Sequence, residues 1–139
     1  MGLFVFPLLL IPFAIYNIVA FLMPGVSWSA PLTHVQLASG GEWTMSAGEM
    51  LIALAALMLF FEVLKATRVG MRNVVDHGLS LLVLVGMIVE FILVRQAGSS
   101  TFFLLLVMSF IDVLGGFAVT LRSAQRDVTI DPTQITTNN

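Results

Sequence analysis

Three acidic residues lie inside long apolar stretches, where a carboxylate is unusual. Glu62, Glu90 and Asp112 stand among Leu, Val, Ile, Phe and Ala residues. A carboxylate at the centre of a bilayer costs roughly 2.5–3.5 kcal/mol on insertion scales, so it normally faces protein or water. Acids in this setting either pass protons or cations along a relay, or hold helices together through hydrogen bonds.

Asp112 has the most unusual position of the three. Measured along a helix from Thr101, it lies about 16 Å deep, close to the bilayer midplane. Ser109 and Gly116 share its helix face, and Gly115 and Gly116 leave room for a neighbouring helix to approach closely. The sequence therefore predicts that this face packs inward, with the two glycines at the contact.

The three acids lie at different depths, as a proton or cation relay would require. From the outer boundary, Glu90, Asp112 and Glu62 fall at about 6, 16 and 22 Å. Asn17 of the first apolar stretch lies at a depth similar to that of Glu90. Together with Ser109, these residues are the candidates for an ion relay or for buried polar contacts.

A structural role for the same residues stays open. Lys65 follows Glu62 by three residues, a spacing that supports an ion pair on a helix. Arg95 lies near Glu90, and the carboxyl of Asp112 can be protonated and hydrogen-bonded to Asn17, Tyr16 or Ser80. Each acid then fixes helix packing without moving an ion.

The composition determines the class of protein. Of 139 residues, 58% are hydrophobic and only 10% are charged, where a soluble domain carries about 25% charged residues. So few charges cannot coat a globule, which excludes a soluble enzyme, a disordered chain and a nucleic-acid binder. The chain has no cysteine, so it has no disulfide or thiolate metal site. It is expected to be an integral membrane protein, with the lipid bilayer as its surroundings.

Four apolar stretches are long enough to cross a hydrocarbon core of about 30 Å as helices. The predicted spans are Leu3–Met23, Ala47–Leu64, Val74–Val94 and Thr101–Leu121. Helices are favoured because they satisfy their own backbone hydrogen bonds in lipid. The expected fold is an all-α membrane protein, a four-transmembrane-helix bundle over residues 1–122, followed by a polar tail over 123–139.

Helix signals refine these boundaries. Ser46 and Glu49 have the spacing of a capping box at the start of the second span, and Asp76 is expected to cap the third. Pro7 and Pro12 predict a kink in the first span. That span lacks a positive n-region, which favours a retained helix over a secretory signal peptide.

Basic residues predict the orientation of the bundle. Lys65, Arg68 and Arg72 lie between the second and third spans, and Arg122 and Arg126 follow the fourth, against Arg95 alone on the other side. Because cytoplasmic loops are enriched in Lys and Arg, both termini are expected in the cytoplasm. The predicted location is the inner (plasma) membrane of a bacterial type of cell.

The outer loop, residues 24–46, carries a hairpin signal. Two segments that alternate apolar and polar residues flank Gly40 and Gly41, which favours a two-residue turn. That turn would place Ala38 opposite Trp43 and Gln36 opposite Met45; an irregular loop is the alternative. Trp28 and Trp43 are expected to anchor at the level of the lipid headgroups.

The functional expectation is a non-catalytic accessory or scaffold subunit, as a homo-oligomer or within a larger membrane assembly. No catalytic grouping is evident, and no metal or cofactor is expected, because His34 and His77 fall on opposite sides of the membrane. Aromatic residues would form lipid-facing strips: Phe4, Phe6, Phe60, Phe61, Phe102, Phe103, Phe110 and Phe117. The first alternative is an oligomeric protein that conducts protons or cations through its intramembrane carboxylates, and an enzyme acting on lipid or quinone ranks third.

Overall fold

The computed structural model describes residues 6–67 and 71–128, with backbone alone at 71–73, 123, 127 and 128. It is mostly helical, with one small antiparallel sheet. In chain order the elements are α1 (Leu10–Leu22), β1 (Pro31–Gln36), β2 (Glu42–Ser46), α2 (Ala47–Ala66), α3 (Met71–Leu93), a 3-10 helix (Arg95–Ala97) and α4 (Ser100–Val128).

Three helices in the described part of the chain are long and apolar enough to cross a membrane: α2, α3 and α4. Such apolar helices are typical of a membrane-embedded protein. The first helix, α1, has only 13 residues, about 20 Å of rise, which is less than a hydrocarbon core of about 30 Å.

The first span expected over 3–23 therefore differs from the helix that is present. Residues 3–5 lie outside the described residues, and Pro7 precedes α1 in a turn that its carbonyl closes with the N–H of Leu10. Pro12 lies in the first helical turn, where a backbone N–H has no partner within the helix. These prolines therefore begin the helix, and the position of Pro12 gives no reason for the predicted kink.

The other helices are longer than expected. The predicted capping box at the start of α2 is confirmed, because the Ser46 side chain accepts from the Glu49 N–H and the Glu49 carboxylate accepts from the Ser46 N–H. The last helix, α4, has 29 residues, about 43 Å of rise, and continues past Leu121 through Arg122 and Arg126. The segment expected as a tail from residue 123 thus begins as helix.

The hairpin is present, but its predicted register is wrong. Trp43 lies opposite Val35 and Met45 opposite Thr33, while Gln36 pairs with Glu42. Gly40 alone has a positive φ, of 84°, and the Leu37 carbonyl accepts the Gly40 N–H at 2.9 Å. A longer turn with one left-handed glycine therefore replaces the two-residue turn, which needs positive φ at both central positions.

The core lies where the first turns of α2 and α4 meet the middle of α1 and the second half of α3. Tyr16 is fully buried there, stacks on Trp28 at a centroid distance of 4.6 Å, and meets Phe102 edge-on at 5.0 Å. Phe102 is also fully buried, so the prediction that it faces lipid is wrong. A Cβ on Gly48 would overlap the Thr101 hydroxyl, so this glycine allows α2 and α4 to approach closely. This end of the bundle, which also carries the sheet, is called the hairpin end.

Candidate functional site

The opposite end of the bundle holds a buried charged cluster centred on Lys65. Its ammonium donates to the Phe6 carbonyl at 2.9 Å, to Glu62 Oε2 at 3.1 Å and to Asp76 Oδ2 at 3.1 Å. An ammonium has three donors, and all three are used here. Lys65 thus joins the segment before α1 to both α2 and α3, and this end is called the lysine end.

Glu62 has a partner at each carboxylate oxygen. Oε2 accepts from Lys65, which confirms the ion pair expected from their spacing, and Oε1 accepts from the backbone N–H of Leu8. Only 4% of Glu62 is exposed. A charge this deeply buried is tolerated when it is paired and hydrogen-bonded, so the contacts explain why an acid can stand at this position.

Asp76 belongs to this cluster, although the sequence predicts a helix cap. Because α3 begins at Met71, Asp76 lies beyond its first turn, and its carboxylate binds Lys65 instead. The second oxygen, Oδ1, is buried and has no hydrogen-bond partner among the described residues. One feature of the sequence could have indicated the contact between Lys65 and Asp76. The two residues flank the same short connection between α2 and α3, which brings both to one end of the bundle.

Asp112 of α4 completes the cluster. Ser80 of α3 forms a side-chain hydrogen bond with it, and Asp76, His77 and Lys65 lie close enough to influence it electrostatically. Of the three partners that the sequence suggests for Asp112, Ser80 is the one that meets it. Lys65 thus binds the carboxylates of Glu62 and Asp76, and Asp112 lies near them.

The two candidate packing glycines have different surroundings. A Cβ on Gly116 would overlap the imidazole of His77, so α3 and α4 meet there through a ring seated on the glycine. A Cβ on Gly115 would have no neighbour within 4 Å. Gly116 therefore serves packing within the chain, whereas Gly115 faces away from it.

A second polar group lies at the hairpin end. The Asn17 amide donates to Glu90 Oε2 at 3.3 Å and to the Phe13 carbonyl at 3.2 Å. The Tyr16 hydroxyl donates to the Gln96 carbonyl at 2.7 Å and lies 2.6 Å from the Ser99 hydroxyl. These contacts tie α1 to the end of α3 and to the connection before α4.

An apolar layer separates the two polar groups. On α3, Leu84 and Met87 are buried between Ser80 and Glu90, which are about 15 Å apart along the helix. The structure therefore brings Glu62 and Asp112 together and leaves Glu90 and Asn17 at the other end. Ser109 is buried on α4 about one turn from Asp112.

The two candidate interface tryptophans are placed differently. Trp28 is partly buried against Tyr16, and its carbonyl accepts the Gly48 N–H at 2.8 Å, so it belongs to the internal packing. Trp43 is exposed on the hairpin.

No three His, Asp or Glu side chains within residues 6–67 and 71–128 are grouped to hold a metal ion. Comparisons with models of protein families, with curated proteins and with solved structures found no match to this chain. A role for this protein therefore has to be inferred from the chemistry of its buried cluster and of its exposed surfaces.

Proposed function

We propose that this chain is a small non-catalytic membrane subunit, an accessory or scaffold component of a homo-oligomer or of a larger membrane assembly. The observation that carries this proposal is a regular row of apolar side chains along the face of α4 that points away from the rest of the chain. The charged groups support it as well, because Lys65 pairs with both Glu62 and Asp76 inside the chain.

The α4 stripe consists of alternating aromatic and aliphatic side chains: Phe103, Val107, Phe110, Leu114, Phe117 and Leu121. The spacing alternates between four and three residues, as in the seam of two packed helices. Except for Val107, which is partly buried, about half of each side chain is exposed. The stripe runs for about 27 Å along the helix, close to the thickness of a hydrocarbon core.

Lipid alone does not require so regular a row, because acyl chains cover any apolar surface. Side chains spaced by four and three residues fit between those of a facing helix. Gly115 adjoins the stripe and leaves open space beside it, which permits a close helix contact. A helix of another subunit, or of a second copy, is therefore the occupant that suits this face.

The stripe is tested by truncating its centre. In Phe110→Ala/Leu114→Ala we expect association, measured by energy transfer between labelled subunits in vesicles, to weaken about tenfold, equivalent to about 1.4 kcal/mol. The matched control is Leu82→Ala/Val85→Ala, which removes exposed apolar side chains from α3 instead. Equal association for both variants and the wild type would reduce the stripe to a lipid-facing surface.

Native mass spectrometry of the protein, gently extracted from its own membrane, distinguishes the two kinds of assembly. Copurification with a larger complex at fixed stoichiometry supports an accessory subunit. A homo-oligomer with nothing else attached supports self-assembly. A monomer under both extraction and vesicle conditions contradicts the proposal.

The proposed topology places both termini in the cytoplasm of a bacterial type of cell, within its inner membrane. Lys65 lies near the end of α2, and Arg122 and Arg126 lie near the end of α4. Cytoplasmic flanks are enriched in such residues, which supports an inward-facing lysine end and an outward-facing hairpin.

Proton or cation conduction is the second candidate function, and one observation favours it. Asp76 has a buried oxygen without a partner in the described part of the chain, close to Asp112. Such a pair of acids is suited to exchange a proton. The apolar layer at Leu84 and Met87 opposes a path within one chain, so conduction would pass between subunits.

Flux in proteoliposomes tests this second candidate. If the protein conducts, Asp112→Asn abolishes the flux while the helix content, measured by circular dichroism, stays unchanged. Glu42→Gln is a suitable control, because Glu42 is an exposed acid of the hairpin. Wild-type vesicles that show neither pH-dependent nor cation-dependent flux would exclude conduction.

A further inference from the structure

The hairpin has one apolar and one polar side. The apolar side, called the Trp43 face, contains Thr33, Val35, Trp43 and Met45, as follows from the register and from the alternation along each strand. Val35 and Trp43 lie directly opposite each other and are both exposed. This pair is therefore available for contact with something outside the chain.

The opposite side of the hairpin is polar. It carries His34, Gln36, Glu42 and Thr44, and the imidazole of His34 lies 3.2 Å from Glu42 Oε1. Leu32 also lies on this side, at the point between Pro31 and Thr33 where the register of the two strands shifts. An exposed sheet that separates its side chains in this way is built for a boundary between water and an apolar medium.

The hairpin is held against the end of a membrane-spanning helix. Its second strand runs directly into α2 at Ser46, whose capping box begins that helix. Two further hydrogen bonds close its base, from the Ala47 N–H to the Ala30 carbonyl at 3.2 Å and from the Gly48 N–H to the Trp28 carbonyl at 2.8 Å. Both ends of the hairpin are thus fixed to the first turn of α2.

The neighbouring surface at this end is also apolar and exposed. Leu22 at the end of α1 and Leu93 at the end of α3 are 75% and 76% exposed. No lysine or arginine occurs between Pro24 and Ser46. The Trp43 face therefore lies at the same end of the bundle as these exposed apolar helix ends, and it carries no charge that would hold it in water.

We propose that the hairpin lies along the membrane surface as an interfacial anchor, with the Trp43 face against lipid and the His34–Glu42 side in water. The partner is the bilayer itself, at the boundary between headgroups and acyl chains, where an indole is well accommodated. This assignment does not depend on the function proposed above.

The test uses the two tryptophans of the chain. In Trp28→Phe, Trp43 is the single tryptophan, and phenylalanine can keep the aromatic contact with Tyr16. The full-length variant is placed in vesicles of phosphatidylcholine whose acyl chains are brominated near the headgroup. We expect about a twofold loss of Trp43 emission relative to unbrominated vesicles, and little further loss on adding iodide, because iodide stays in water.

The matched control moves the tryptophan to the other side of the same strand. Thr44→Trp, made together with Trp28→Phe and Trp43→Phe, should be quenched by iodide and little by brominated lipid. If Trp43 emission responds to iodide and not to brominated lipid, the proposal is overturned. Equal quenching of both positions by brominated lipid would also overturn it, because the hairpin would then have no water-facing side.

A third comparison leaves Trp28 unchanged, in case its replacement prevents folding. The emission that brominated lipid removes from the wild type is compared with that removed from Trp43→Phe. A larger loss in the wild type supports the lipid contact of Trp43. Equal losses in the two proteins contradict it.

Discussion

At the scale of single residues, Lys65 connects three separate parts of the described chain through one charged group. Its ammonium serves two carboxylates and one backbone carbonyl, and only 13% of its side chain is exposed. Removing one partner of a buried ion pair lowers stability more than replacing both partners with apolar residues, because the remaining charge stays buried without a counter-ion. Lys65 should therefore matter more to stability than an exposed cation of the same chain.

We expect Lys65→Met to lower the free energy of unfolding in detergent by about 3 kcal/mol, since Glu62 and Asp76 lose their shared cation. Denaturant titration followed by circular dichroism measures the change. Adding Glu62→Gln should recover part of the loss. The control, Arg95→Met, removes an exposed cation, and should change stability by less than about 0.5 kcal/mol. Equal effects of the two substitutions would show that the Lys65 contacts carry no special weight.

Contacts within one helix can be predicted from the sequence, whereas contacts between helices cannot. The Glu62–Lys65 pair follows from spacing on one helix, so it was predictable. For Asp76 the sequence predicts a helix cap, whereas its actual contact with Lys65 depends on how α3 is placed relative to α2. Contacts between helices depend on rotation about each helix axis, which hydrophobicity alone does not specify in so apolar a chain.

At the scale of elements, the two adjacent glycines of α4 lie on different faces of the helix, one packed against α3 and the other open. Gly116 receives the ring of His77, whereas Gly115 has open space. The sequence predicts one packing site that includes both glycines, because two adjacent glycines cannot be distinguished until the position of the facing helix is known. Their different surroundings give a clear experimental contrast.

We expect Gly116→Leu to destabilise the bundle by about 1–3 kcal/mol, because the new side chain competes with His77 for the same volume. His77→Ala in that background should recover most of the loss. Gly115→Leu should leave stability unchanged and weaken association through the adjoining α4 stripe. Thermal unfolding and energy transfer between subunits provide the two measurements. Equal destabilisation by both leucines would contradict the assignment of the two glycine environments.

Other elements show how far pattern alone can reach. The capping box of α2 was predictable, because it depends on four consecutive residues. The length of α1 was not, because the apolar run begins at Leu3, well before the helix, and only the prolines indicate where helical bonding starts. The hairpin was predictable as a pair of strands, but the turn that sets its register could not be chosen from two adjacent glycines.

At the scale of the whole molecule, the bundle has two polar ends and an apolar middle. The lysine end holds paired charges, and the hairpin end holds hydrogen bonds of Tyr16 and Asn17. This arrangement matches a bilayer in cross-section, since polar groups are best tolerated near its two surfaces. The direction in which the bundle is inserted is a separate question, which can be tested directly.

The absence of cysteine from the chain permits single labels on each side. With the topology proposed here, Ser29→Cys reacts with a membrane-impermeant maleimide in intact cells, and Thr67→Cys reacts only after the cells are opened. Both residues are exposed, and they lie in connections at opposite ends of the bundle. The reverse labelling pattern would show that the termini lie outside.

The pairing of Glu62 with Lys65 also has a consequence for how the protein is made. Both residues belong to α2, so their charges can neutralise each other as soon as that helix forms, before later helices leave the ribosome. Asp112 is synthesised after Ser80, Asp76 and Lys65, so its partners precede it into the membrane. These partners are therefore synthesised before the acid or within the same helix. This order lowers the free-energy cost of inserting each carboxylate into the membrane.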